Sequence, residues 1–344
     1  MKKRFVIAMI CMIALMSTAC GSNAGSGSST SAPAASDGDS GGKASEYVPL
    51  TIALPTWTGY GPLFVAKEKG YFEKRGIDVS LKIVEGIGER KQALASGAIQ
   101  GLATATDVLV NLSANSVPTG LVWTLDKSDG ADGIIAKKDI TEPAQLKGKR
   151  VAVEVGTTSH LFLLKVLEQA GLSEKDIKVI QMNSGDAGAA FVAGKVDAAV
   201  TYDPWLSKGV EAGGNAFTTK EYPVQIVDAI GFSKEIIEKH PDEMKDFVAA
   251  MAEASEFWKT NQDEAVKIMA DGLKISEDDV KATAAELAMF DLEDNKTQMG
   301  SAEKPGTIYN TAQDIADFYL QQKIIDSTVD LDQLIDPSFV REQE

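Results

Sequence analysis

The chain has 344 residues, of which 44% are hydrophobic, and a formal net charge of −16. About three hundred residues of this composition can bury one large core or two medium ones. So acidic a protein is a poor partner for nucleic acid or for direct docking on anionic lipid. We therefore expect no nucleic-acid partner.

The first residues have the pattern of an export signal. Three basic residues stand within the first four positions, an apolar run covers 5–16, and small residues cover 17–19. The apolar run is shorter than the ~20 residues that a membrane span needs. Cys20 follows at once, and the pattern resembles a bacterial lipobox, although Ser17 stands where Leu is usual. We predict a signal peptide over 1–19, a lipid on Cys20, and an extracytoplasmic, lipid-anchored location at the cell membrane. An ordinary signal peptide and an uncleaved anchor are the alternatives.

Cleavage before Cys20 would also remove Cys11, so the remaining chain could form no internal disulfide. The loss of three cations with the signal would change the net charge from −16 to −19. Residues 21–46 are almost entirely Gly, Ser, Ala, Thr and Asp, a composition that cannot bury enough apolar surface to fold. We predict that 20–46 form the lipidated cysteine and a flexible linker with an end-to-end distance of roughly 28 Å.

From residue 50 onward, short apolar runs alternate with helical segments, which predicts a mixed or parallel sheet with helices on its faces. In the first unit, strands are predicted at 50–54, 77–84, 99–103 and 120–125, and helices at 62–69, 88–96 and 107–114. A second unit of the same rhythm has predicted strands at 151–154, 177–181 and 198–202, and helices at 158–170 and 186–193.

After an extended stretch at 224–230, the pattern predicts that strands stop and that helices continue from Lys234. Two α/β units and a helical tail indicate an α/β fold of two lobes with a ligand cleft between them. The predicted first lobe comprises 47–132 and 229–344, and the second comprises 133–228, since the extended stretches near 134–136 and 225–230 are the expected crossings.

Ligands of open α/β sheets bind at the carboxyl ends of the strands. The residues that this sequence places there are mainly carboxylates, hydroxyls and aromatic rings. Asp126 and Asp129 have turn capping as their simpler explanation, and Asp228 is either a hinge hydrogen-bonding group or a cleft carboxylate. The predicted ligand-binding residues are Trp57, Thr58, Tyr60, Thr106, Asp107, Asp132, Glu154, Thr157, Tyr202, Asp203 and Asp228.

Five segments together resemble the solute-binding proteins of nitrate, sulfonate and taurine ABC importers. They are Trp57–Tyr60, Ala66–Phe72, Asp129–Gly133, Glu154–Thr157 and Ala198–Trp205, and the resemblance extends from about Leu50 to Phe339. It implies a type II periplasmic-binding-protein-like fold that closes about a hinge. It also implies a monomer that delivers a small solute to an ABC permease with a cytoplasmic ATPase.

Two signals compete over the charge of the ligand. Thr157 begins a predicted helix, whose free N–H groups and dipole favour an anion such as nitrate, taurine or another sulfonate. The predicted strand ends, however, carry many carboxylates and almost no Arg or Lys. Unpaired carboxylates in a closing cleft cost several kcal/mol each. Aromatic faces can stack on a planar cation. We therefore predict a small nitrogen-rich cation, with guanidine as the best single candidate.

A secreted hydrolase based on two carboxylates is the alternative from another class. The chain has only two histidines, His160 and His240, and no free cysteine in the predicted folded part. The chain therefore offers too few His and Cys side chains for the usual metal sites and for nucleophilic triads. We expect no enzyme activity, no catalytic residues, no cofactor and no metal.

Overall fold

The computed structural model describes residues 49–301 and 303–343 and contains two β-sheets with helices packed on both. The predicted signal peptide, Cys20 and the linker lie outside the described residues. None of the helices in the described ranges combines the length and apolar character needed to cross a membrane.

The helices and strands follow one another with short connections. The first elements are β1 (Pro49–Leu54), α1 (Gly61–Glu68), β2 (Asp78–Ile83), α2 (Ile87–Ala95), β3 (Gly101–Ala105), α3 (Thr106–Ala114) and β4 (Thr119–Ser128). The next are β5 (Asp132–Ala136), β6 (Arg150–Val153), α4 (Thr158–Gln169), β7 (Lys178–Gln181), α5 (Ser184–Val192), β8 (Ala198–Tyr202), α6 (Trp205–Glu211) and β9 (Asn215–Thr218).

The last part begins with one long strand and is then mainly helical. It consists of β10 (Val227–Ser233), α7 (Lys234–Lys239), α8 (Pro241–Thr260), α9 (Gln262–Leu273), α10 (Glu277–Ala284), β11 (Leu287–Met289), α11 (Leu292–Met299), α12 (Thr307–Gln321), α13 (Leu331–Leu334) and α14 (Ser338–Arg341). Short 3-10 helices stand at Thr58–Tyr60, Glu73–Arg75, Pro143–Leu146 and Glu174–Asp176.

The six-stranded sheet has the order β11-β4-β10-β3-β1-β2 and defines what we call lobe 1. Its strand β1 lies between β2 and β3 and is parallel to both, whereas β10 is antiparallel to β3 and β4. The central strand β3 is buried along its whole length, as its apolar sequence requires. The helices after β10 pack on this lobe, mainly through contacts of α8 and α9 with α1 and of α12 with α3.

The five-stranded sheet has the order β7-β6-β8-β5-β9 and defines lobe 2. Its core has two parts, one on each face of the sheet. The chain leaves the first sheet after β4 and returns to it at β10, so sheet membership changes within 129–131 and again within 219–226. The predicted lobe boundaries at 132/133 and 228/229 stay a proposal.

The prediction that strands stop after residue 230 was wrong. Strand β11 pairs with the edge strand β4, where Met289 lies opposite Asp126. Three residues are too few to show a periodicity in the sequence. Only the hydrogen-bonded pairing with β4 defines this segment as a strand. The strand β9 was also not predicted, and β4 continues to Ser128 rather than ending at Leu125.

Candidate ligand-binding site

The carboxyl ends of the parallel strands in both sheets point toward a shared cavity of about 60 Å³. A cavity needs roughly 10–15 Å³ to hold one water molecule, so this cavity has room for a solute of only a few non-hydrogen atoms. Its position agrees with the general rule that ligands of open α/β sheets bind beyond the strand ends.

Lobe 1 contributes two aromatic residues and the carboxylates of Glu85 and Asp228 to the cavity wall. Trp57 directly precedes the 3-10 helix Thr58–Tyr60 between β1 and α1, Tyr60 ends this helix, and Asp228 stands near the start of β10. Because β10 runs antiparallel to β3, its beginning lies at the same edge of the sheet as the end of β3. Both aromatic rings are almost completely buried. They therefore belong to the packed core and to the cavity wall together.

Lobe 2 contributes the beginning of helix α4 and the end of β8. Thr157, Thr158 and Ser159 line the cavity at the first turn of α4, and Tyr202 lines it at the end of β8. The ring of Tyr202 meets the ring of Trp57 edge to face, with 5.4 Å between centroids and 80° between planes. This contact joins the two lobes across the mouth of the cavity.

The predicted site residues fall into two groups. Those that line the cavity are Trp57, Tyr60, Asp132, Glu154, Thr157, Tyr202 and Asp228. The other four do not line it, and three of them have hydrogen-bond partners in the protein. The Thr106 hydroxyl donates to the Val227 carbonyl at 2.8 Å, and Asp203 accepts from the Ser207 N–H at 2.8 Å. Asp107 accepts from the hydroxyls of Thr158 at 2.6 Å and Tyr319 at 2.8 Å. Thr58 is buried, and its hydroxyl has no hydrogen-bond partner among the described residues.

Glu154 is satisfied by protein groups although it lines the cavity. One carboxylate oxygen accepts from the Ile87 N–H at the start of α2, at 3.0 Å, and the other lies 3.3 Å from both the N–H and the hydroxyl of Ser184. Ile87 belongs to lobe 1 and Glu154 to lobe 2. The carboxylate thus caps a helix of the opposite lobe, where the helix dipole favours a negative charge. The pair Thr158 and Asp107 spans the lobes in the same way.

A group of three buried aspartates is the main chemical feature of the site. Asp126, Asp132 and Asp228 are 0%, 7% and 3% exposed. Neither oxygen of Asp126 nor Oδ2 of Asp132 has a hydrogen-bond partner among the described residues, whereas Asp228 accepts from the Tyr60 hydroxyl at 2.5 Å. We call these three residues the acid cluster. Asp126 does not line the cavity itself but pairs with Asp228 across neighbouring strands.

Burial raises the pKa of all three carboxyls, and their mutual repulsion adds to it. The pKa of Asp132 rises to about 8 through burial and then through the neighbouring Asp228 charge. Burial raises the pKa of Asp228 to about 7, although the hydrogen bond from Tyr60 acts in the opposite direction. Burial and the Asp228 charge hold the pKa of Asp126 well above its usual range. The acid cluster therefore retains protons at neutral pH, and a positive charge bound beside it would favour their release.

Arg90 is the functional candidate that sequence reasoning missed. It lies in the second turn of α2, is 5% exposed and lines the cavity. Its Nη1 reaches the Thr104 hydroxyl at 3.5 Å, its Nε has no partner, and it makes no salt bridge among the described residues. A prediction from the strand ends alone does not include this residue of α2. An Arg one turn into a helix that follows a strand end was the available signal.

No group of three or more His, Cys, Asp or Glu side chains in the described ranges is arranged to hold a metal ion.

Two lobes, each an α/β sheet with helices, and a small polar cavity between the facing strand ends define the periplasmic-binding-protein fold. Solved structures share this fold. The alkanesulfonate-binding protein SsuA of Xanthomonas axonopodis pv. citri, bound to MOPS, superposes with a TM-score of 0.70 at 21% identity, over 84% of this chain and 98% of that one. The periplasmic nitrate-binding protein NrtA of Synechocystis PCC 6803 has a TM-score of 0.69 at 18% identity, over 86% and 88%.

Sequence similarity places the chain more narrowly. The NMT1/THI5-like family matches residues 57–265, and the chain belongs to this family. The taurine-binding periplasmic protein of Escherichia coli K12 is 26% identical over 223 residues, which cover 63% of this chain and 69% of that protein. The predicted fold class and the predicted resemblance to the nitrate, sulfonate and taurine solute-binding proteins are thereby confirmed.

Proposed function

We propose that this protein is the extracytoplasmic solute-binding component of an ABC importer, and that its ligand is a small nitrogen-rich cation of the guanidinium type. The lobes close around the solute, and the closed protein delivers the solute to a membrane permease. A cytoplasmic ATPase supplies the energy for transport. The observation that carries the choice of ligand is the acid cluster: Asp126 and Oδ2 of Asp132 have no hydrogen-bond partner among the described residues, and Asp228 accepts only from the Tyr60 hydroxyl there.

The energetics of the site favour a cation. A carboxylate buried without a counter-charge costs several kcal/mol, and a cation in the cavity would offset that cost at Asp132 and Asp228 together. A guanidinium ion presents several N–H donors in one plane, which matches paired carboxylate oxygens. Trp57, Tyr60 and Tyr202 supply aromatic faces, each worth about 0.5–2 kcal/mol to a desolvated cation. The cavity of about 60 Å³ suits a solute of this size.

An anion such as taurine, another sulfonate or nitrate is the second candidate, and Arg90 favours it. The Arg90 side chain, whose Nε has no partner among the described residues, and the first turn of α4 line the same cavity, and free N–H groups at a helix start bind anions. The relatives named for taurine, alkanesulfonate and nitrate support this alternative. A zwitterion such as taurine would place opposite charges at Arg90 and at the acid cluster.

Calorimetry on residues 47–344 with guanidinium, urea, taurine, methanesulfonate and nitrate separates the two candidates. We expect heat of binding with guanidinium and none with nitrate or methanesulfonate. The variant Arg90→Gln should keep or improve guanidinium affinity, because it removes a like charge from the cavity, and should abolish binding of any anion. Anion binding that Arg90→Gln eliminates, without a guanidinium signal in either protein, would overturn the cation proposal. Recovery of each compound unchanged after incubation tests the hydrolase alternative.

We also propose that the protein is a monomer held to the cell membrane by a lipid on Cys20, with 21–46 as its tether. In the variant Cys20→Ser, the protein should leave the membrane fraction, and solute uptake by cells should fall. The affinity of the purified variant should equal that of the wild type, because the tether and the site are separate. A membrane-bound Cys20→Ser protein, or one with altered affinity, would contradict this assignment. Size-exclusion chromatography of the soluble form tests the monomer.

A further inference from the structure

Asp126 of β4 and Asp228 of β10 lie directly opposite each other on neighbouring antiparallel strands. Side chains at directly opposed positions point to the same face of a sheet, with Cβ atoms about 4.5–5.5 Å apart. The two carboxyl groups are therefore neighbours, and they are 0% and 3% exposed. Two ionised carboxylates in such a place repel each other strongly, and one retained proton removes the repulsion.

Apart from the ring N–H of Trp57, the surroundings of Asp126 offer little that would stabilise a negative charge there. No salt bridge reaches its carboxyl among the described residues, and no N–H or O–H group stands in hydrogen-bonding geometry to either oxygen. The backbone of Gly59 packs against it so closely that a Cβ at this position would overlap the carboxyl, with Asp126 Cγ at 2.5 Å and Trp57 Nε1 at 2.6 Å. The fold thus encloses a carboxyl group whose polar neighbours include the Asp228 carboxyl and the Trp57 ring N–H.

The two residues stand at different depths. Asp228 lines the cavity, and its Oδ1 accepts a hydrogen bond from the Tyr60 hydroxyl. Asp126 lies behind Asp228 and does not line the cavity. We propose that Asp126 is a positioning residue that keeps its proton and donates a hydrogen bond from its carboxyl O–H to the Asp228 carboxylate. Tyr60 and Asp126 then hold Asp228 from two sides and present it to the ligand.

The pair carries one negative charge in this arrangement. Burial first, and then the Asp228 charge, holds the pKa of Asp126 well above its usual range, and the two groups titrate together. The ionisable groups that face the pair from the other packed elements are Asp132 on β5, Asp107 on α3, Arg90 on α2 and Tyr60. A pair with one negative charge suits a singly charged cation. This consequence rests on the proposed function, whereas the shared proton does not.

Infrared spectroscopy of the ligand-free protein tests the proton directly. With ¹³C-carboxyl aspartate, a protonated aspartate gives an isotope-shifted C=O band that ionised surface carboxylates lack. At pH 9 we expect this band in the wild type and in Asp132→Asn, but not in Asp126→Asn. Absence of the band from the wild type, or its persistence in Asp126→Asn, would overturn the proposal. This readout needs no ligand, so it is independent of the identity of the solute.

Guanidinium titration of two variants tests the positioning role. Asparagine at 126 can donate the same hydrogen bond from its amide, so Asp126→Asn should bind within roughly threefold of the wild type. Asp126→Leu should bind at least roughly tenfold more weakly, because a hydrogen bond to a charged group is lost. Equal weakening in both variants would refute the role. If the wild type itself binds no guanidinium, the proposed ligand is wrong, and the infrared band alone decides about the acid pair.

Discussion

Replacement of Asp132 by asparagine should lower guanidinium affinity by roughly thirtyfold or more. The carboxylate lines the cavity, and its Oδ2 has no partner in the protein. Removal of one member of a desolvated charge pair costs about 2–5 kcal/mol, because the other charge remains buried without compensation. The same variant should not unfold more easily without ligand, since the substitution removes a buried acid from a site that repels it. Calorimetry gives the affinity, and thermal unfolding gives the stability.

The matched control is Asp129→Asn, because Asp129 is exposed and carries the same formal charge three residues away. Its affinity should stay within about twofold of the wild type. If Asp129→Asn and Asp132→Asn weaken binding equally, the effect comes from the general field of the acidic surface. If Asp132→Asn binds like the wild type, Asp132 is not a ligand contact. If the melting temperature of Asp132→Asn lies well below that of the wild type, the Asp132 carboxylate has a structural role instead.

The ligand-free protein should lose stability as the pH rises from about 5 to about 8.5. The folded-state pKa of Asp132 is about 8, above the value of 3.8 for an unburied aspartate. The folded protein therefore holds a proton that the unfolded chain has already released, and the free energy of unfolding falls across this interval. Each unit of raised pKa corresponds to about 1.4 kcal/mol, so a decrease of several kcal/mol, or roughly 5 °C or more in melting temperature, is expected.

Differential scanning calorimetry at fixed ionic strength measures this trend. Asp132→Asn should make the decrease smaller, because one titrating group is gone while Asp228, with a pKa of about 7, still titrates, and Asp129→Asn should leave the decrease unchanged. Saturating guanidinium should reduce the loss at high pH, since the cation stabilises the ionised carboxylates. A melting temperature of the ligand-free wild type that is constant or rises from pH 5 to 8.5 would contradict the raised pKa. Asp197 does not interfere, because its ion pairs with Arg150 and Lys137 lower its pKa and confine its effect to acidic pH.

The acid cluster and Arg90 also explain why one fold can serve ligands of opposite charge. The strand ends and the start of α4 supply the frame of the cavity, and the residues placed on this frame choose the ligand. In this chain Asp132, Asp228 and Arg90 all line the cavity, and Arg90 Nη1 lies 3.5 Å from the Thr104 hydroxyl. The experiments with Arg90→Gln and Asp132→Asn therefore test the cationic and the acidic residues of the cavity separately.

Much of the architecture could be predicted from local sequence patterns. The strands near 50–54 and 198–202 and the helices near 107–114 and 158–170 lie within one or two residues of their predicted bounds. These segments have apolar periodicities that adjacent residues reveal. The three-residue strand β11 could not be found in this way, because only its pairing with β4 defines it.

The sequence by itself determined the two α/β units, the helical tail and the carboxylates, hydroxyls and aromatic rings at the strand ends, because local periodicity and composition encode them. Only the tertiary structure decided which of these residues share the cavity. It placed Asp126 beside Asp228 through the register of β4 and β10, gave Asp107 and Glu154 partners in the opposite lobe, and brought Arg90 to the cavity. Strand register and lobe packing are contacts between residues far apart in the chain, so no local pattern specifies them.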